Sequence, residues 1–204
     1  MATHLHLGDL PGNLDLGPVV AVDSETMGLR YRRDPLCVVQ LSAGDGDAHV
    51  VRLNRPAYDC PNFKRLLTDP AVLKLFHYAR FDVAMFQLYL GVETGPIYCT
   101  KIASKLARTY TDRHGLKDVV RELAGVELSK AQQSSDWGAA ELSKEQLAYA
   151  ASDVLYLHKV RGRLDEMLTR EGRTDLARAC FDFVSTRSAL DLAGWEEMDI
   201  FSHS

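Results

Sequence analysis

Short apolar runs dominate the first third of the chain. Residues 19–23, 36–42 and 48–53 are rich in apolar and β-branched residues, and turns containing Gly and Asp separate them. This spacing predicts three consecutive strands that form a β-meander. From residue 61 onward the pattern becomes helical, except for two further strands that we predict at residues 72–77 and 96–99.

The clearest helix is predicted to begin at Ser143. Residues 143–146 (SKEQ) have the form of a capping box. The apolar positions that follow have the spacing of a helix packed on a core: Leu147, Ala150, Ala151, Val154 and Leu155. Strands first and helices afterwards, with strands between the later helices, predict an α/β fold in which helices cover a mixed sheet.

The organisation and composition of the chain narrow the classes of protein. Its 204 residues are 46% hydrophobic, and no repeat or Pro/Gly/Ser-rich linker interrupts them, so we expect a single domain over 1–204 with a short C-terminal tail. No presequence is expected at residues 1–10, and no run reaches the roughly 20 apolar residues that cross a bilayer.

Charge and cysteine content add two further expectations. The four cysteines are spread out without a CxxC pair, which argues against a zinc site or a disulfide scaffold and favours a reducing cytoplasm. The net charge of −4 argues against a protein that holds long nucleic acid through a basic surface. A short nucleic acid held at a metal site needs less positive charge.

Two carboxylates stand at the end of the first predicted strand. Asp23 and Glu25 follow an apolar run, and residues two apart on a strand share a face. Two anions held together need positive charge between them, and a divalent cation is the usual solution. For a DxE taken alone, solvated turn residues are the favoured interpretation, because acidic residues are common in turns.

Two later segments carry similar candidates. Asp82 opens a predicted helix after a short strand, where a first-turn carboxylate is also ordinary. Tyr149 and Asp153 lie four residues apart in the helix that follows Ser143, so they share a face. A carboxylate in this Ala- and Leu-rich stretch needs a partner if it is buried, although both side chains can instead edge the exposed face.

Taken in order, these three motifs resemble those of the DEDD exonuclease superfamily. Asp23 with Glu25 matches its first motif, Asp82 its second, and Tyr149 with Asp153 its third. The chain resembles the ribonuclease D branch, and within it the nanoRNase C proteins of alphaproteobacteria. The likeness covers nearly the whole chain and is carried by residues 99–104 (CTKIAS), 110–117 (YTDRHGLK), 132–137 (QQSSDW) and 199–204 (DIFSHS).

The chain departs from the wider superfamily in two respects. Tyr78 stands where many relatives carry Asn after the second-motif His, which puts that polar contact with substrate in doubt. We also expect no counterpart of the helical HRDC domains of full ribonuclease D, and the protein would then lack that accessory contact with nucleic acid.

The resemblance implies a ribonuclease H-like mixed sheet flanked by helices and a metal-dependent 3′→5′ exonuclease. The four carboxylates would hold two divalent cations, Mg²⁺ or Mn²⁺, which take oxygen ligands. Tyr149 would orient the attacking water or help to deprotonate it. The implied substrate is short single-stranded RNA, down to dinucleotides, and the implied products are nucleoside 5′-monophosphates.

Supporting residues are proposed around that centre. We expect the residues that follow the DxE to line the terminal nucleotide. We expect the residues that flank the second motif to contact the sugar or the base of the substrate. Phosphate steering is one interpretation of the basic stretch 101–117, and a solvated helix face is the other. Trp137 either forms a platform beside a short nucleic-acid strand or anchors a loop to the core. The residues are Thr26, Met27, Gly28, Leu29, His77, Phe81, Lys101, Arg108, Gln133, Ser135 and Trp137.

Two other functions stay open on sequence alone. The same chemistry could trim DNA ends or structured RNA precursors, and a non-catalytic nucleic-acid-binding module could keep the same fold. The apolar residues Trp195, Ile200 and Phe201 in the tail suggest packing on a neighbouring subunit or back onto the same chain. The nanoRNase C resemblance implies a ring-like homo-oligomer, with an octamer as the expected form.

Overall fold

A mixed six-stranded sheet forms the centre of the computed structural model, which describes residues 1–129, 131–132 and 134–203. The strand order is β1-β4-β3-β2-β5-β6. The strands are β1 Thr3–Leu7, β2 Val19–Thr26, β3 Leu36–Ser42, β4 Ala48–Arg52, β5 Leu73–Phe76 and β6 Ile97–Cys99.

The predicted β-meander is confirmed. The middle strand β3 pairs antiparallel with β2 on one side and with β4 on the other, whereas β1, β5 and β6 join in parallel. All seven residues of β3 are buried, as expected for a central strand covered on both faces. Strand β1 was not predicted, because its exposed, His-containing sequence lacks an apolar run.

Helices cover the sheet and occupy most of the second half of the chain. They are α1 Pro61–Thr68, α2 Ala79–Leu90, α3 Thr100–Ala107, α4 Leu116–Ala124, α5 Lys144–Leu155, α6 Leu157–Arg170, α7 Thr174–Asp182 and α8 Val184–Leu190, followed by a π-helical turn, Asp191–Trp195. The α/β prediction is therefore confirmed. Within the described ranges, every helix is too short or too polar to cross a membrane.

Helix α5 is anchored where the sequence predicted. The Ser143 side chain accepts a hydrogen bond from the backbone N–H of Gln146, and the Gln146 side chain accepts one from the backbone N–H of Ser143. Such caps contribute about 1 kcal/mol to helix stability. The helix packs across β2, β3 and β4, with Ala150 and Ala151 buried against the sheet. This packing brings α5 close to β2.

Candidate active site

Strand β2 carries the first two carboxylates. It extends through Thr26, three residues beyond the predicted end at Asp23, so Asp23 and Glu25 lie within the strand and on one face. Asp23 pairs with Gln40 of β3 across the sheet, and Gln40 Nε2 donates a hydrogen bond of 2.6 Å to Asp23 Oδ2. The buried amide therefore fixes the orientation of the Asp23 carboxylate.

The third carboxylate is placed by a turn between β5 and α2. Strand β5 ends at Phe76, and Tyr78 takes a left-handed conformation (φ 79°) immediately before the helix. Asp82 is buried in the first turn of α2 and accepts a hydrogen bond of 2.6 Å from Ser24 Oγ. Ser24 thus ties the second motif to the first.

Helix α5 supplies the remaining two side chains. Tyr149 and Asp153 lie one turn apart on α5, which packs on β2 and β3. Asp23, Glu25 and Asp153 each offer a carboxylate oxygen, and these three atoms lie within 4.8 Å of one another. The structure thus brings all five predicted residues of the centre to one cavity.

The pKa values of these carboxylates are raised, as expected for buried acidic groups that lie together without a cation. Burial, opposed by hydrogen bonds from Ser24 and Gln40, raises the pKa of Asp23 to about 7. Burial and the charges of Asp23, Asp153 and Asp82 raise the pKa of Glu25 to about 10. Burial and the charge of Asp23 also raise the pKa values of Asp82 and Asp153 well above the usual range.

Hard divalent cations bind such oxygen ligands and relieve the repulsion between them. The donor set therefore fits the predicted metal centre.

The cavity above the carboxylates has a volume of about 610 Å³, within the range of pockets that enclose a small ligand. Eight of the predicted substrate-binding residues line it: Thr26, Met27, Gly28, Leu29, His77, Phe81, Lys101 and Ser135. Gln133 lies outside the described residues. Whether the eight touch a substrate stays a prediction.

Two basic side chains at the cavity, Lys101 and His77, differ in their charge. Lys101 Nζ lies 4.2 Å from the centre of the Tyr78 ring, a cation–π contact at the cavity wall. His77 Nδ1 is 2.9 Å from Thr100 Oγ1, and burial together with the charge of Lys101 lowers the pKa of His77 to about 3. His77 is therefore neutral at physiological pH, which leaves Lys101 as the charged neighbour.

The prediction that Arg108 steers phosphate is wrong. Its side chain is only 1% exposed, does not line the cavity, and is paired with Glu122. Its Nη1 also donates hydrogen bonds to Ser104 Oγ and to the backbone oxygen of Arg113. Arg108 instead ties the end of α3 to α4.

The structure favours the second interpretation of Trp137, as a core anchor. Trp137 is 2% exposed and packs against Cys37, Val38, Val50 and Ala150. It reaches the site only indirectly, since its ring centre lies 6.1 Å from that of Tyr149. A substrate platform at Trp137 is therefore a wrong prediction.

Sequence reasoning missed two residues that orient the carboxylates. Gln40 was detectable, because it is the one amide in a strand that is apolar from Leu36 to Val39, and such a residue needs a partner when buried. Ser24 carried no comparable signal, since a serine between two acidic residues fits any turn.

Comparisons with known proteins agree with this geometry. Residues 6–169 match a family model described as 3′-5′ exonuclease. Ribonuclease D of Acidiphilium cryptum is 39% identical over 169 residues, which cover 83% of this chain and 43% of that protein. The chain spans about two fifths of the length of the curated ribonuclease D relatives that it matches.

Solved structures extend the likeness to the whole chain. Brucella melitensis NrnC has been solved with bound Mg²⁺ (51% identity, TM-score 0.95) and bound to pGG (52% identity, TM-score 0.97), each match covering 100% of both chains. Escherichia coli RNase D, described as an exoribonuclease involved in structured RNA processing, is 26% identical with a TM-score of 0.73, over 84% of this chain and 45% of that one. The chain therefore belongs to the 3′→5′ exonuclease family, in its ribonuclease D branch and in the nanoRNase C group.

Proposed function

We propose that this exonuclease degrades short oligoribonucleotides, down to dinucleotides, and releases nucleoside 5′-monophosphates. The observation that carries the proposal is the carboxylate cluster inside a cavity of limited volume, about 610 Å³. The match to a relative solved with pGG over its full length supports the same substrate class. The free thiols of the described cysteines fit a reducing compartment, and we place the enzyme in the cytoplasm.

In the proposed mechanism, Asp23, Glu25, Asp82 and Asp153 would hold two divalent cations, Mg²⁺ or Mn²⁺. Such cations would supply stabilisation of the negative charge that develops on a phosphodiester during hydrolysis. Gln40 donates a hydrogen bond to Asp23 Oδ2, and Ser24 donates one to Asp82 Oδ1. These hydrogen bonds help to orient the two carboxylates at the cavity.

Tyr149 is proposed to orient the attacking water. Burial and the neighbouring Asp153 and Glu25 raise the pKa of its phenol above the usual value of about 10. With the carboxylates uncompensated by cations the hydroxyl therefore keeps its proton, and it is placed to act as a hydrogen-bond partner for the attacking water. Its position one turn from Asp153 places it beside the carboxylate cluster.

The walls of the cavity are proposed to hold the terminal nucleotides. Leu29 is 80% exposed and lines the cavity beside Met27, so its side chain is free to pack against a base. Lys101 and Lys117 also line the cavity and bring positive charge that phosphates would need. Phe81 offers an aromatic face for stacking.

A length series tests the substrate class. With Mg²⁺, a labelled RNA dinucleotide should be cleaved faster than a 20-mer at equal concentration, and EDTA should stop both reactions. A DNA series of the same lengths runs in parallel. Equal or faster cleavage of the 20-mers would contradict the short-substrate proposal, and faster cleavage of DNA would contradict the preference for RNA.

We also propose that the chain forms a homo-oligomer, with the octameric ring implied by its sequence resemblance. The C-terminal tail supports this, because it exposes apolar side chains that a partner subunit could cover: Trp195, Met198, Ile200 and Phe201. Phe201 is 77% exposed although its ring lies 5.9 Å from that of Phe183. The contact of the tail with its own chain therefore leaves most of the Phe201 side chain exposed.

Light scattering tests the assembly. We expect a mass near a multiple of 22.7 kDa, the mass of one chain. Replacing Phe201 with serine should shift the mass downward, whereas Leu7→Ser, on the exposed strand β1, serves as a control outside the tail. A mass of one chain for the unaltered protein would contradict the proposal.

A further inference from the structure

A buried carboxylate outside the catalytic cluster joins three segments of the chain. Asp191 begins the π-helical turn after α8, and its side chain is inaccessible to solvent. Arg80 Nε donates to Asp191 Oδ2 at 2.5 Å, Arg80 Nη2 to Oδ1 at 2.7 Å, and Arg187 Nη2 lies 2.8 Å from Oδ1. The hydroxyl of Tyr31 donates to Oδ2 at 3.3 Å.

Two of these partners belong to segments that line the cavity. Tyr31 lies two residues after Leu29 in the loop between β2 and β3, and its ring stacks on Phe81 with 5.6 Å between ring centres. Arg80 lies in the first turn of α2, immediately before Phe81 and two residues before Asp82. Both segments thus contact Asp191 from behind the cavity wall.

Additional contacts secure the same loop to the rest of the chain. The Tyr89 hydroxyl donates to the backbone oxygen of Tyr31 at 2.9 Å. Arg32 Nη2 donates to the backbone oxygen of Leu192, the residue after Asp191, at 3.1 Å. The side chains of Tyr31 and Arg32 therefore hold the loop between β2 and β3 against the C-terminal segment. Leu29, in the same loop, stays exposed.

The charge balance makes Asp191 the centre of this arrangement. One fully buried carboxylate accepts hydrogen bonds from the guanidinium of Arg80 and forms an ion pair with that of Arg187, and both guanidinium groups are only partly exposed. Neutralising it would leave two adjacent cations without their shared anion, which is costly in a partly buried site. The family model ends at residue 169, so this anion comes from a segment beyond the shared exonuclease region.

From these contacts we propose that Asp191 is a positioning residue of the exonuclease site. It holds two segments of the cavity wall at the distance needed to contact the nucleosides of a short substrate. These segments are the loop between β2 and β3, which carries Leu29, and the first turn of α2. This inference deepens the proposed function and rests on it. Asp191 does not touch substrate; it acts through Tyr31 and Arg80.

The test uses Asp191→Asn, which preserves shape and removes charge. Two substrates are compared with Mg²⁺: an RNA dinucleotide, and bis(p-nitrophenyl) phosphate, a phosphodiester without nucleosides. We expect KM for the dinucleotide to rise about 10-fold, because a displaced wall misplaces the nucleoside. Hydrolysis of bis(p-nitrophenyl) phosphate and the rise in Tm on adding Mg²⁺ should stay unchanged, since the carboxylate cluster is intact.

A matched pair of milder variants separates positioning from general stability. Tyr31→Phe loses one hydroxyl–carboxylate hydrogen bond to Asp191, and Tyr98→Phe loses one of 2.8 Å to Asp165, away from the cavity. Only Tyr31→Phe should raise KM for the dinucleotide.

Equal loss of activity on both substrates in Asp191→Asn would overturn the proposal in favour of a structural role. Unchanged kinetics on both would overturn it as well. Failure of the proposed function is a different result, namely unaltered protein that prefers long RNA or DNA to the dinucleotide.

Discussion

Replacing Asp153 with asparagine is expected to reduce Mg²⁺-dependent hydrolysis of an RNA dinucleotide on the order of 10³-fold or more. Asparagine keeps the shape of the side chain but removes the negative charge with which Asp153 would bind a cation. Initial rates at saturating Mg²⁺ measure the effect. Asp175→Asn, at an exposed position on α7, is the control and should retain full activity. Activity of Asp153→Asn close to that of the unaltered protein would remove Asp153 from the mechanism.

The same variant should be more stable than the unaltered protein when metal is absent. Burial and the charge of Asp23 raise the pKa of Asp153 in the folded state, so the folded protein binds this proton more tightly than the unfolded chain does. Stability is therefore highest below the unfolded pKa of about 4 and falls as pH rises towards the folded pKa. For the neighbouring Asp23 that fall extends to about pH 7.

Thermal unfolding in EDTA checks this sign. At pH 8, Asp153→Asn should unfold at least about 2–4 °C above the unaltered protein, the shift that 1 kcal/mol produces in a chain of this size. The difference should shrink towards pH 4. Added Mg²⁺ should raise the Tm of the unaltered protein at pH 8 and raise that of the variant much less. A variant that unfolds earlier at pH 8 in EDTA would show that the carboxylate stabilises the metal-free fold.

Replacing Tyr149 with phenylalanine is expected to lower kcat about 10²–10⁴-fold, the range of effects when a group that positions or transfers a proton is removed. The four carboxylates remain, so the rise in Tm on adding Mg²⁺ should be kept, and KM should change little. Tyr98→Phe again serves as the matched control. A kcat for Tyr149→Phe equal to that of the unaltered protein would mean that the attacking water is oriented by other groups.

Elements with a strong local signal were predictable from the sequence. The strands of the meander and the capping box at Ser143 each follow from a few adjacent residues, and the structure contains both. Strand β1 was not predictable in this way, because its stability comes from parallel pairing with β4 more than 40 residues later. The end of β2 was misjudged for a similar reason, since Ser24 and Glu25 are polar yet pair with β3.

The candidate site shows the same division. Motif order and resemblance sufficed to select Asp23, Glu25, Asp82, Tyr149 and Asp153, which the structure brings together. Arg108 could not be assigned correctly, because the sequence shows a cation but not that it folds onto Glu122. The role of Trp137 depends on whether its side chain faces the sheet or the solvent, and the sequence does not show how its loop packs.

The close approach of α5 to the sheet has a consequence for how this enzyme can vary. Ala150 and Ala151 are buried between the helix and the strands, and their short side chains let the helix axis lie near β2. A larger residue at either position would lift the helix and carry Asp153 away from Asp23, even if the core repacked without loss of stability. Mutational tolerance of these two alanines should therefore be limited by ligand geometry rather than by folding.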